Sequence, residues 1–128
     1  MQATRIYTGA GGGACFENIE VAFDSQEAGA HTADFPLEHM FFRRFPPGLD
    51  LGHHKAPRRQ WLIVISGVFD VGGATETRRF KPGDLIFIED TTGLGHTTRN
   101  IEGERITAYL PVPDDFQITQ AAIVPERR

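Results

Sequence analysis

Residues 48–67, GLDLGHHKAPRRQWLIVISG, set two adjacent histidines, His53 and His54, ahead of a proline, two arginines and a glutamine, with an apolar run and a glycine closing the stretch. Imidazole serves as metal ligand, proton carrier or plain hydrogen-bonding group according to its surroundings. The stretch therefore reads as a working metal site, the remnant of one, or a polar loop before an ordinary strand. Spacing narrows the geometry. Side chains alternate between the two faces of an extended segment, so His54, Ala56, Arg58 and Gln60 share one parity that continues into Leu62 and Val64, while His53 and Lys55 have the other. An arginine on the inward parity needs an acceptor, and its planar fork suits a carboxylate or phosphate. Arg58 is thus a candidate substrate anchor, the alternative being an ion pair with a protein acid such as Glu89 or Asp90. A second histidine-bearing stretch, EDTTGLGH, puts hydroxyls and Asp90 ahead of His96. These side chains also suit a turn, through hydrogen bonds to their own backbone.

The elements that must position these groups read as strands. Segments rich in β-branched and aromatic residues, punctuated by glycine and proline, run over Arg5–Tyr7, Ile19–Phe23, Glu38–Phe45, Arg59–Ile65, Gly67–Val71, Thr75–Phe80, Leu85–Glu89, Gly95–Asn100 and Arg105–Leu110. VGGA (71–74) is a hairpin signal, since paired glycines supply positive φ angles. KPGD (81–84) is a turn in which Pro82 presets φ and Gly83 adopts what other residues resist. GAGGGA (9–14) lacks the lysine of a phosphate loop and reads as a flexible connector. DDFQITQAA (114–122) is long enough for a turn or two of helix, and no segment sustains helical periodicity. Phe41, Phe42, Trp61, Phe69 and Phe87 are expected in the core, some of them lining any central cavity. Arg59, Arg78 and Arg79 are expected on a solvated face, and His31 in a polar loop. Many short strands in one chain favour a closed barrel or a sandwich.

Composition excludes several classes. At 128 residues one domain is expected, with a formal net charge of −4 and no basic stripe for nucleic acid. No polybasic tract favours a membrane surface, and the longest unbroken apolar run, Trp61–Ile65, is far too short to span a bilayer. The N-terminus lacks the charged and apolar blocks of a signal peptide. The single cysteine, Cys15, excludes an internal disulfide and a multi-cysteine zinc cluster. It reads as a small, partly buried side chain, and a reducing cytoplasm is the expected location. No nucleophile elbow, paired-carboxylate spacing or dinucleotide fingerprint occurs.

Gly48, five residues, His54, one residue, Ala56, three residues, Gln60, six residues and Gly67: this spacing resembles the first motif of the cupin superfamily, with Ala56 in place of its second histidine and Gln60 in place of its glutamate. FKPGDLIFIEDTTGLGHTTRN resembles the second motif, from the Pro82–Asp84 turn through His96 to Asn100. There the usual proline is absent and His96 falls about two residues late, so DTTGLG must bulge. Together the two motifs cover residues 48–100. PRRQ and DTTGxGH are similar to a group of small single-domain cupins.

The resemblance implies an all-β cupin jelly-roll barrel, or double-stranded β-helix, spanning 1–128. An N-terminal arm over about 1–17, a barrel over about 18–112 and a C-terminal tail over about 113–128 are expected. It implies a site inside the barrel mouth, where His54, Gln60 and His96 would hold one divalent transition metal: Fe, Mn, Ni, Cu or Zn. Gln60 is a poorer donor than a carboxylate and Ala56 offers none, so a metal-free pocket with hydrogen-bonded histidines is an equal alternative. Glu38 or His39, or His53 through a local bulge, would be the groups available to complete the shell. Two functions follow. One is a metal-dependent enzyme, an oxygenase or isomerase, acting on a small polar or aromatic acid anchored by Arg58. The other is a non-catalytic, metal-free module that binds such a small molecule. The family further implies a homodimer, in which TRIYT (4–8), as an edge strand, would pair with the partner's sheet.

Overall fold

The apolar runs become eight strands: β1 (Gln2–Thr8), β2 (Ala14–Glu20), β3 (Phe41–Phe45), β4 (Asp50–His54), β5 (Gln60–Gly72), β6 (Thr77–Phe80), β7 (Leu85–Ile88) and β8 (His96–Pro111). The computed structural model describes residues 1–24 and 28–118. Two strands are long enough to serve two walls. The first half of β5 pairs with the second half of β8, from Gln60↔Pro111 to Val64↔Thr107, and the second half of β5 pairs with the first half of β8, from Phe69↔Asn100 to Gly72↔Thr97. β3, β7, β1 and β2 extend the first pairing into one wall, and β4 and β6 flank the second pairing to make the other. Two walls joined through shared, bent strands form a jelly-roll barrel, the all-β fold expected.

The bends explain where strand boundaries were misplaced. Arg59–Ile65 and Gly67–Val71 are one strand, β5, whose register shifts around Ser66. Gly67 takes φ +84°, and a β-carbon there would come within 2.8 Å of the Arg105 Cα and the Glu104 carbonyl oxygen. Glycine is required at this bend on both counts. Gly95–Asn100 and Arg105–Leu110 likewise run together as β8, through Gly103 at φ +72°. The paired glycines of VGGA form the expected β5–β6 turn, closed by Gly73 N–H donating to Glu76 O at 2.8 Å, without positive φ. Their smallness is what counts: a β-carbon at Gly73 would press on the Phe16 ring and Ala14 O at 2.6 Å.

The N-terminal residues are part of the barrel. β1 is hydrogen-bonded on both sides, antiparallel to β2 and parallel to β7, so TRIYT is not a free edge. GAGGGA is a tight turn rather than a flexible connector. Gly9 N–H donates to Gly13 O at 2.9 Å, and the Gly12 carbonyl accepts Leu94 N–H at 2.7 Å from the bulged DTTGLG loop. Of DDFQITQAA, 114–115 form a turn, while 119–122 lie outside the described residues.

Alternation along the strands sorts the core into two clusters. Ile6, Leu62, Val64, Phe69, Val71, Phe80, Ile86, Ile88 and Tyr109 face the barrel interior. On the opposite face of the first wall, Trp61 and Phe87 meet at 4.9 Å and are covered by Val21, Val112, Phe116 and Ile118. Phe42, expected in the core, is instead 59% exposed on the outside. No helix among the described residues is long and apolar enough to cross a membrane.

Candidate functional site

A cavity of about 420 Å³ opens between the two walls. Inward parity decides its lining: His54, Ala56, Arg58 and Gln60 all reach it, and His53 and Lys55 do not. His53 lines a separate pocket beside Gly11 and Leu94. Glu38 and His39 are exposed and lie outside the cavity lining. His31 is on the surface, 3.2 Å from Asp24.

β4 and β8 bring the two inward histidines together. His54 and His96 are direct cross-strand partners, with ring centroids 4.4 Å apart in an edge-on arrangement. The bulge that delays His96 is built on Gly93 and Gly95, both at positive φ, and Gly95 packs directly on the His54–Lys55 backbone. Each ring is held through Nδ1. His54 Nδ1–H donates to the Gly52 carbonyl at 2.8 Å, and His96 Nδ1–H donates to Asp90 Oδ2 at 2.5 Å. Asp90 is fully buried, so its role goes beyond shaping a turn: it orients His96. With Nδ1 occupied by an acceptor, each ring presents its Nε2 lone pair, the arrangement that outer-shell acceptors give metal-binding histidines.

Gln60, at the start of β5, is 2% exposed, and its Oε1 has no hydrogen-bond partner among the described residues. An unpartnered amide oxygen and two oriented imidazoles belong to side chains on one cavity, neutral donors of the kinds that suit a divalent transition metal, with no anionic ligand among them. Among the described residues, no group of three or more His, Cys, Asp or Glu side chains is placed to hold a metal.

The arginines do not follow the expected division. Glu89 pairs with Arg5 Nε at 2.5 Å and Arg59 Nε at 3.0 Å, and Asp90 is taken by His96. Arg58 has no ion pair with either acid. It lies over the Phe41 ring at 5.8 Å, on the cavity lining. Arg59, expected on a solvated face, is a partly buried structural cation. Desolvation lowers the pKa of Arg5, but hydrogen bonds and charge from Glu89 and Glu17 outweigh it and hold the guanidinium above its ordinary value. Arg78 is partly buried against Phe16 and pairs with Glu76, while Arg79 is exposed beside Asp70.

Sequence reasoning missed Arg105. It is 5% exposed, lines the cavity, and donates from Nη2 to the Tyr109 hydroxyl at 2.9 Å. The available signal was parity: Arg105, Thr107 and Tyr109 alternate on the same face of β8.

The two facing walls, their shared bent strands and the placement of both motifs around one cavity make the chain a small barrel of the cupin fold. Solved structures similar to it include a conserved protein of unknown function from Streptococcus pyogenes (16% identity, TM-score 0.45, covering 73% of this chain and 96% of that one). KdgF from Halomonas sp. is similar at 23% identity and TM-score 0.43, covering 73% of this chain and 91% of that one. An RmlC-like cupin from Shewanella frigidimarina is similar at 19% identity and TM-score 0.42, covering 89% of each chain. No protein-family model and no curated protein matches the sequence.

Proposed function

We propose that the protein binds a small organic acid inside the barrel, and that His54, Gln60 and His96 hold one divalent transition metal at low affinity on the same cavity. The observation that carries this reading is the anchoring of both imidazoles through Nδ1, by Gly52 O and Asp90, beside the unpartnered Gln60 Oε1. Such an ion supplies positive charge to a ligand oxygen when bound. The chain's own part is to aim the donors, exclude water with the Leu62, Val71 and Ile86 walls, and orient the acid with Arg58 at the lining. We place this activity in the cytoplasm, where a single free thiol suits a reducing compartment.

A metal-free binding module is the second reading. It is favoured by the buried Ala56, which occupies a lining position without offering a donor, and by the lack of an anionic ligand. Elemental analysis of protein purified without chelators or a histidine tag, followed by zinc and cobalt titration, separates the two. Metal uptake that His54→Ala abolishes and His53→Ala leaves intact is expected. No bound metal and no uptake on titration would remove the metal reading and leave the binding module.

A further inference from the structure

Arg105 is a buried cation with no ion pair among the described residues. Of the arginines near it in the fold, Arg43 and Arg58 also line the cavity, and among the described residues no aspartate or glutamate does. The Arg105 guanidinium is held between the Phe45 and Phe69 rings, 4.3 and 4.2 Å from their centroids. Nη2 is satisfied by Tyr109, but Nε is buried with no acceptor among the described residues. Arg5, Arg44, Arg59, Arg78 and Arg79 each have a carboxylate partner. A buried charge is costly unless paired, and here desolvation, opposed by Tyr109, holds the guanidinium below its ordinary pKa. The two rings and the Tyr109 hydroxyl favour a guanidinium here, but none of them carries the negative charge that would neutralise it.

We infer that Arg105, with Tyr109, is the receptor for the ligand's anionic group, and that the ligand is a small monocarboxylate with a flat apolar body. The inference rests on the proposal that the barrel binds a small organic acid, and it adds the class of acid and the residue that reads it. Three features set the class. One buried guanidinium with a free Nε–H is neutralised by one negative charge, and a planar carboxylate matches its fork. Aromatic rings bound the same space, with Phe41 stacked on Tyr109 at 5.3 Å, so a flat body can lie against them. The remaining cations, Arg43 over Phe45 at 4.6 Å and Arg58 over Phe41, are exposed, so they attract an anion to the cavity without adding a second buried charge.

Calorimetric titration of the full chain with benzoate, cinnamate and indole-3-acetate, each paired with its neutral amide, tests this, with inorganic phosphate as a further arm. At least one carboxylate is expected to bind, in preference to its amide and to phosphate. Arg105→Met should weaken that binding by roughly ten- to a hundredfold, the ratio for losing a hydrogen bond to a charged group. Tyr109→Phe, which keeps the ring, provides a milder variant if Arg105→Met does not fold, and should also weaken carboxylate over amide. Cobalt uptake by the same proteins separates this inference from the reading beneath it. Amides binding as well as carboxylates, or an Arg105→Met protein with unchanged carboxylate affinity, would overturn the anion receptor while leaving a small-molecule cavity. Phosphate binding better than every carboxylate would overturn the class. No binding by any compound would overturn both readings of the ligand, whatever the metal result.

Discussion

Gly95 is where the fold and the site are one feature, and Gly95→Ala tests it. The residue has φ +73°, which costs a non-glycine residue about 1–2 kcal/mol. A β-carbon would also overlap the carbonyl group of His54 and lie 2.7 Å from Lys55 N. All of these neighbours are backbone, so no rotamer change relieves the clash and β4 itself must move. Overpacking of this kind adds typically 1–3 kcal/mol, for a total of about 2–5 kcal/mol. A domain of this size has about 5–15 kcal/mol of stability in all, and each kilocalorie corresponds to a few degrees in Tm. The variant is therefore expected to fold with a lowered Tm and to lose the His54–His96 pairing.

Gly83→Ala is the matched control. Gly83 has φ +93°, but a β-carbon there meets nothing within 4 Å, so only the conformational cost of about 1–2 kcal/mol applies. Urea denaturation of both variants isolates the clash as the difference between them, and metal titration reports on the site. Equal destabilisation of the two, with metal uptake by Gly95→Ala unchanged, would refute the close packing of the DTTGLG bulge on β4 and the site geometry that depends on it.

Two further outcomes follow from the same arrangement. Because β1 is paired on both sides, the expected homodimer has to use another surface: Phe42 on the edge strand β3 lies across Ala108 from Ile63, and both Phe42 and Ile63 are exposed. Sedimentation should show a dimer at micromolar concentration that Phe42→Asp dissociates, and a wild-type species of 14.2 kDa alone would exclude it. If a carboxylate and a metal occupy the cavity together, each should raise the other's affinity by the same factor. Cobalt titrations with and without the best-binding carboxylate measure that factor, and a ratio of one would show that the two sites are electrostatically independent.

Much of the site's layout was legible because it depends on local rules. Glycine spacing marked Gly48, Gly67 and Gly83, all of which take positive φ, and alternation placed His54, Ala56, Arg58 and Gln60 on the cavity while keeping His53 off it. What failed depends on contacts between distant segments. A glycine run has no sequence signature for packing against another loop, so GAGGGA looked like a connector although Gly12 and Gly13 abut the DTTGLG bulge. The continuity of β5 and β8 was hidden because the gaps left at Ser66 and over 101–104 are bends, at Gly67 and Gly103, that let one strand serve two walls. Arg59 looked solvated, and Glu89 or Asp90 stood as an alternative partner for Arg58, because the true pairings join distant segments: the β1–β7 pairing delivers Arg5 to Glu89 and the bulge delivers His96 to Asp90.

The charge balance of the cavity ties these strands of evidence together. Among the described residues its lining offers two imidazoles, one amide and three guanidiniums and no carboxylate; Glu89 pairs with Arg5 and Arg59, and Asp90 lies behind the lining against His96. A protein net charge of −4 does not alter this, because surface charges are screened by solvent whereas a desolvated cation such as Arg105 is not. Gln60 is a neutral amide and Ala56 offers no donor. A glutamate in place of Gln60 would make the cavity less positive, whereas a neutral histidine in place of Ala56 would leave its charge unchanged. A cavity whose described lining holds a buried arginine and no carboxylate is suited to receive an anion from its ligand, so the neutral Gln60 and the uncompensated Arg105 point to the same chemistry.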